Sequence, residues 1–108
     1  MAISSEFTDF IVEQLQELDD VYSRRMFGGF GIFCNDVMFG LVADDVLYLK
    51  TNDQTKVRYE ELGLGPFLYE RAGKTVALKS YYEAPERLLD DREAMMDWAG
   101  EAIKTSQC

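Results

Sequence analysis

The segment Arg24–Phe33, RRMFGGFGIF, combines three glycines with two arginines, residue types that serve either a phosphate-binding loop or a strand bent for close packing. A Walker-type loop needs two glycines around four residues and then Lys-Ser or Lys-Thr, and a dinucleotide-binding loop needs G-x-G-x-x-G between a strand and a helix. Neither spacing is present, and the residues after Gly31 continue as a strand, so no helix N-terminus follows to meet an anion. We predict structural roles for Gly28 and Gly29, which permit positive φ at a bend or bulge, and for Gly31, which lets a bulky neighbour approach the backbone.

Other catalytic and metal-binding chemistries lack the residues they need. The chain has no histidine, which removes the usual base of a serine or cysteine triad, and its two cysteines cannot complete a tetrahedral zinc site. Cys34 lies in a strand-like run, where we expect a buried thiol; a redox-sensitive thiol near an arginine is the alternative. The paired carboxylates coincide with a turn, a helix end and a helix cap, at Asp44-Asp45, Glu60-Glu61 and Asp90-Asp91. We therefore expect no catalytic residue, no metal and no cofactor.

The charge is acidic and unevenly distributed along the chain. The net charge is −9; residues 1–23 carry six acids and no base, residues 24–82 eight bases and seven acids, and residues 83–108 seven acids and three bases. Non-specific nucleic-acid binding depends on Lys and Arg replacing phosphate counterions, so we expect no direct binding of nucleic acid. No apolar run approaches the roughly 20 residues of a membrane span, and the N-terminus has no export signal, so we expect a cytoplasmic protein without membrane contact.

Periodicity and turn residues predict a single domain over residues 1–108 that begins with a helix and continues with strands. Ser4 or Ser5 caps the first helix, which ends near Asp19-Asp20 and buries an apolar stripe of Phe7, Phe10, Ile11, Leu15 and Leu18. The runs GGFGIFC, VMFGLVA and VLYLK then form an antiparallel meander with turns at Asn35-Asp36 and Asp44-Asp45, and VYSRRMF adds a short strand or bend before it.

The second half predicts a helix, a hairpin and two further helices. Asn52 caps a helix over 53–62 that Gly63 closes in the left-handed conformation, and FLYER and KTVALKSYY pair around Ala72-Gly73. Pro85 starts a short helix, and Asp90 or Asp91 caps a final helix that buries Met95, Trp98, Ala99, Ala102 and Ile103. The order α-β(3 or 4)-α-β(2)-α predicts an α+β two-layer sandwich with helices packed on an antiparallel sheet.

Four segments, taken in order, give the sequence a family resemblance: RRMFGGFGIF, VMFGLVADDVLYLK, FLYERAGKTVALKSYYEAPE and LLDDREAMMDWAGEA. Together they resemble the TfoX N-terminal domain family from about Tyr22 to Ala102. The resemblance implies a two-layer fold similar to secretion chaperones, frequent pairing as a homodimer, and a regulator of competence genes that acts with the cyclic-AMP receptor protein. The chain stops after the N-terminal domain of the long regulators, so we expect it to be similar to the stand-alone members.

The same resemblance maps Arg24, Arg25, Met26 and Phe27 onto an R-x-M-F-G-G signature. One hypothesis is that an arginine pairs with an acidic patch of a partner or with a small anion. The alternative is that one arginine bridges to the acidic first or last helix while Met26 and Phe27 fill the core. Both interpretations stay open at the level of sequence.

Tyr81 and Tyr82 are adjacent strand residues and therefore point to opposite faces of the sheet. We expect one to be buried and the other to be exposed, where it could anchor an interface.

The preferred hypothesis is a non-catalytic regulatory interaction module, homodimeric, whose protein partner is the cyclic-AMP receptor protein or another part of the transcription machinery. Two alternatives stay open. One is a small-anion or metabolite binder, or an enzyme, with a pocket near Arg24, Arg71 and Lys79. The other is a chaperone-like binder of another protein.

Overall fold

The computed structural model describes residues 6–18, 20–26 and 29–107, which form a mixed helix and sheet structure. The helices are α1 Glu6–Gln14, α2 Lys56–Glu61 and α3 Arg92–Gln107, with a 3-10 helix at Glu86–Asp90. The strands are β1 Val21–Met26, β2 Gly29–Cys34, β3 Val37–Ala43, β4 Val46–Lys50, β5 Pro66–Arg71 and β6 Lys74–Glu83. The element order confirms the predicted α+β arrangement, and Val21–Met26 forms a full strand before the meander.

All six strands belong to one antiparallel sheet of order β1-β2-β3-β4-β6-β5. The turns that follow β2 and β3 have positive φ at both residues, 51° and 68° at Asn35-Asp36 and 52° and 59° at Asp44-Asp45. Asn and Asp tolerate this conformation, which two-residue hairpins need to match the strand twist. β6 lies beside β4, which leaves β1 and β5 as the two edges of the sheet.

The helices pack against one face of the sheet and share a single hydrophobic core with it. Fully buried residues of that core come from α1, the 3-10 helix and α3, among them Ile11, Leu88 and Met95, and from β2 and β4, among them Ile32 and Leu49. Because every described helix buries its apolar side here, the fold has two layers. Within the described ranges, no helix combines the length and apolarity needed to cross a membrane.

Helix boundaries differ in detail from the predicted ones. α1 ends at Gln14, earlier than expected, and Phe10 is 41% exposed although the apolar stripe predicted its burial. The side-chain oxygen of Asn52 accepts the backbone N–H groups of Gln54 and Thr55 at 2.8 Å each, but these bonds close a turn before the helix, which begins only at Lys56 with Thr55 as its N-cap residue. The predicted capping by Ser4 or Ser5 lies outside the described residues.

The later caps agree better with prediction. Asp91 accepts the N–H of Ala94 at 3.0 Å and so caps α3, and Gly63 has the predicted left-handed conformation with φ +78°. Pro85 stands just before the 3-10 helix, as its N-cap in extended conformation, rather than inside the first turn. A helix therefore begins directly after Asp91 and directly after Pro85, where a side-chain acceptor and a fixed φ favour a helix start.

Candidate interaction site

One face of the sheet carries no described helix, and its side chains form a second, separate apolar layer. Phe33, Leu41 and Tyr81 are 9%, 2% and 7% exposed, yet they do not belong to the core under the helices. Tyr22 and Arg24 contact the Phe33 ring, and Lys50 lies over the Tyr81 ring. We call this surface the helix-free face and define it by Tyr22, Arg24, Met26, Phe33, Met38, Leu41, Tyr48, Lys50, Phe67, Tyr69 and Tyr81.

The β1–β2 end of the helix-free face is built on a stacked aromatic pair. Tyr22 and Phe33 are register partners whose rings lie 5.3 Å apart with an angle of 6° between the planes. The guanidinium of Arg24 lies 5.4 Å from the centroid of the Phe33 ring. The Tyr22 hydroxyl donates to the Asp36 carboxylate at 2.7 Å, and this hydrogen bond raises the pKa of Tyr22. A ring–cation contact and a hydrogen bond thus hold this end in place.

Gly31 is structural because the same layer closes over it. A Cβ atom at Gly31 would lie 2.7 Å from the sulfur of Met26, 3.0 Å from Phe33 and 3.2 Å from the sulfur of Met38. Gly31 thus lies where bulky side chains approach the backbone closely. Gly29 is needed for a different reason from the one predicted: its φ is not positive, and a Cβ there would overlap the carbonyl oxygen of Val42 on β3. Gly28 lies outside the described residues.

The β4–β5 end of the helix-free face holds a second aromatic group. Tyr48 meets Phe67 edge to face with centroids 5.0 Å apart, and Phe67 stacks on Tyr69 at 5.9 Å. All three rings are half-buried, and partial burial raises the pKa of Tyr48. Edge-to-face and stacked pairs of this kind add to the stability that area burial alone provides.

The prediction for Tyr81 and Tyr82 is half wrong. They do point to opposite faces, but both are buried, at 7% and 5% exposure. Tyr81 belongs to the helix-free face: its hydroxyl donates to the carbonyl of Met38 at 3.4 Å, the Lys50 ammonium lies 5.2 Å from its ring centroid, and burial raises its pKa. Tyr82 lies in the core, and its hydrogen bond to Glu60 at 2.8 Å raises its pKa. Neither is an exposed anchor.

Arg24 and Arg25 are both exposed and lie on opposite faces of the edge strand β1. The predicted bridge from one of them to an acidic helix is absent from the ion pairs between described residues, and Arg24 contacts an aromatic ring. Met26 is half-buried on the helix-free face, not in the core under the helices, and Phe27 lies outside the described residues.

The structure does not bring Arg24, Arg71 and Lys79 together into a pocket. Arg24 is on β1 and Arg71 on β5, the two opposite edges of the sheet, which at about 4.8 Å per strand are roughly 24 Å apart. A cavity of about 230 Å³ lies elsewhere, between α1, the β3–β4 turn and the 3-10 helix. None of the three basic residues lines it, so the pocket predicted near them is wrong.

The carboxylate pairs have the structural roles that their positions predicted. Asp44-Asp45 forms a tight turn, and Asp91 caps a helix. In the part of the chain that the structure describes, no three Cys, Asp or Glu side chains are grouped so that they could hold a metal ion. Cys34 is 5% exposed, in the core under the helices, as expected for a strand thiol.

Sequence reasoning missed Arg58, which joins α2 to α3. Its guanidinium lies 3.5 Å from the centroid of the Trp98 ring and forms ion pairs with Glu101 at 3.3 Å and Asp97 at 3.9 Å. No local signal could have found this contact, because the partners are about 40 residues away and only the packed fold brings them together.

The fold and this surface define a class: an α+β two-layer domain whose first and last helices are rich in acids and whose opposite sheet face is aromatic and carries Arg24 and Lys50. The chain belongs to the TfoX N-terminal domain family, whose model matches residues 13–106. It is 30% identical over 105 residues to the DNA transformation protein TfoX1 of Aliivibrio fischeri, covering 97% of this chain and 48% of the relative. It is 28% identical over 91 residues to the DNA transformation protein TfoX of Haemophilus influenzae, covering 82% of this chain and 42% of the relative. The chain therefore spans about half the length of these relatives.

Proposed function

We propose that this chain is a non-catalytic regulatory module that acts through a protein partner in a competence-related process. The observation that carries the proposal is the family membership, with relatives that are named DNA transformation proteins. The aromatic helix-free face supports it, because Tyr, Phe, Met and Arg are enriched in the cores of protein interfaces.

The proposed partner is the cyclic-AMP receptor protein or another part of the transcription machinery in the cytoplasm. A protein with a net charge of −9 repels the phosphate backbone at long range, so an indirect action through a DNA-bound protein suits it better than direct DNA binding. We also propose that the chain acts as a homodimer, which light scattering tests directly against the monomer mass of 12.4 kDa.

The experiment is a binding titration on a promoter duplex that carries a site for the receptor protein. The chain alone should leave a labelled duplex unbound at physiological salt, and should bind once the receptor and cyclic AMP are present. A duplex with a scrambled receptor site is the control. Submicromolar, salt-sensitive binding of the chain to naked duplex would contradict the proposed indirect action. If the chain binds neither the receptor loaded with cyclic AMP nor polymerase subunits, the proposed partner is wrong.

A further inference from the structure

The two layers of the molecule differ in charge. Helix α1 holds Glu6, Asp9 and Glu13 and no base, and α3 with its cap is likewise rich in acids. The helix-free face carries Arg24 and Lys50, and strand alternation places Arg71 and its register partner Lys74 on the same side as Tyr69. Four of the eleven basic residues of this acidic protein thus lie on its aromatic face, together with Glu83, the register partner of Tyr48.

Arg24 and Lys50 are held in position before any partner arrives. Their charged groups lie 5.4 Å and 5.2 Å from the ring centroids of Phe33 and Tyr81. Contacts of this kind hold the aliphatic part of an Arg or Lys side chain against apolar surface, while the charged group is directed outward. Less side-chain entropy is then lost when an anionic group binds.

Apolar surface surrounds these charges. Six side chains of the face are only half-buried: Tyr22, Met26, Met38, Tyr48, Phe67 and Tyr69. The molecule measures 40 × 39 Å along its two longest axes, so a partner that covers part of the sheet can reach the roughly 800 Å² per side of a standard interface. A surface of this composition fits a partner that supplies both apolar side chains and negative charge.

We infer that the helix-free face binds an acidic segment of a partner protein, with apolar side chains against the aromatic groups and carboxylates against Arg24 and Lys50. This inference rests on the proposed function, which makes the partner a protein. A second copy in the same orientation would set basic groups against basic groups across a two-fold axis. Single-stranded nucleic acid needs free ring faces, and here the rings already stack on one another and under cations.

The test uses the full chain and three labelled 15-residue synthetic peptides. The first alternates Asp or Glu with Leu and Phe, the second replaces the acids by Lys, and the third replaces the apolar residues by Ser. We expect the first peptide to bind in fluorescence anisotropy and each of the others to bind at least about tenfold more weakly. Amide shift changes in NMR spectra should map to β1, β2, β4 and β5.

Charge reversal supplies the matched variants. Arg24→Glu with Lys50→Glu should weaken binding of the acidic apolar peptide at least about tenfold, whereas Arg92→Glu with Lys104→Glu changes the net charge equally on the helix side and should leave binding within twofold. Arg24→Gln with Lys50→Gln repeats the test if the reversal lowers the thermal midpoint. Equal weakening by both reversals, or shift changes that map to the helices, overturns the inference.

Two other outcomes also overturn it: tighter binding of a single-stranded oligonucleotide to the same face, and a dimer that the Arg24 and Lys50 reversal dissociates. The proposed function fails separately. If the promoter titration shows receptor binding while the peptide binds elsewhere, the regulatory proposal stands and this inference is wrong. If the peptide binds the face but neither the receptor nor polymerase binds the chain, the inference stands and the proposed partner is wrong.

Discussion

Replacing Gly29 by alanine tests how closely β2 approaches β3. The new Cβ would overlap the carbonyl oxygen of Val42 and lie 3.3 Å from its carbonyl carbon. Both atoms belong to the backbone of a paired strand, so they can move only if the ladder between the two strands is distorted. We expect a loss of about 2 to 4 kcal/mol in the free energy of unfolding, from overpacking and weakened hydrogen bonds.

Gly31→Ala is the matched comparison, because Gly31 lies on the same strand as Gly29. Its Cβ would also be crowded, but the nearest atom is the sulfur of Met26 at 2.7 Å, the far end of a flexible side chain. Methionine can adopt another rotamer at small cost. We expect a loss of about 1 kcal/mol, clearly less than at Gly29, although both glycines lie on the same strand.

Urea unfolding followed by far-UV circular dichroism measures all of these variants. Gly65→Ala is the control, because a Cβ at Gly65 would meet nothing within 4 Å and the residue has no positive φ; its midpoint should stay close to that of the wild type. The reasoning is refuted if Gly29→Ala unfolds within about 0.5 kcal/mol of the wild type. It is refuted equally if Gly31→Ala costs more than Gly29→Ala.

Three further predictions concern the helix layer. Gly100→Ala should raise the free energy of unfolding by about 0.5 to 1 kcal/mol, because Gly100 lies in α3 with open space around it; the same urea titration checks this. Stability should fall as pH rises above 10.0, because burial raises the pKa of Tyr59, so the folded state retains a phenol proton that the unfolded chain loses; unfolding measured from pH 8 to 11 tests the sign. Arg58→Ala should cost about 1 to 3 kcal/mol by uncovering the Trp98 ring and leaving Glu101 without its cation, and a thermal midpoint unchanged from the wild type would contradict it.

Local chemistry explains why much of the fold could be predicted. The turns at Asn35-Asp36 and Asp44-Asp45 and the cap at Asp91 depend only on residues next to each other in the chain. The same is true of the apolar face of α3. These features fix where strands and helices begin and end, and so the order of elements.

Burial of the tyrosines could not be predicted, because it depends on strands that are far apart in sequence. Alternation correctly placed Tyr81 and Tyr82 on opposite faces. Whether Tyr81 is exposed depends on two contacts. The pairing of β6 with β4 places Lys50 over the Tyr81 ring. The backbone carbonyl of Met38, 43 residues earlier in the chain, accepts the hydrogen bond of the Tyr81 hydroxyl. Neither contact leaves a signal in the local sequence.

A β-bulge in the pairing of β2 with β3 determines which residues of β3 lie on the helix-free face. Strict alternation along VMFGLVA would separate Met38 from Leu41 by placing them on opposite faces. The register shifts between Ile32, which pairs with Gly40, and Phe33, which pairs with Met38, so Phe39 is the extra residue and lies in the core at 1% exposure. Beyond it, Gly40 leaves room for Ile32, since a Cβ at Gly40 would lie 3.3 Å from that of Ile32, and Leu41 turns to the same side as Met38. One bulge thus lets a single strand supply Phe39 and Val42 to the core and Met38 and Leu41 to the candidate interaction surface, as bulges near functional surfaces commonly do.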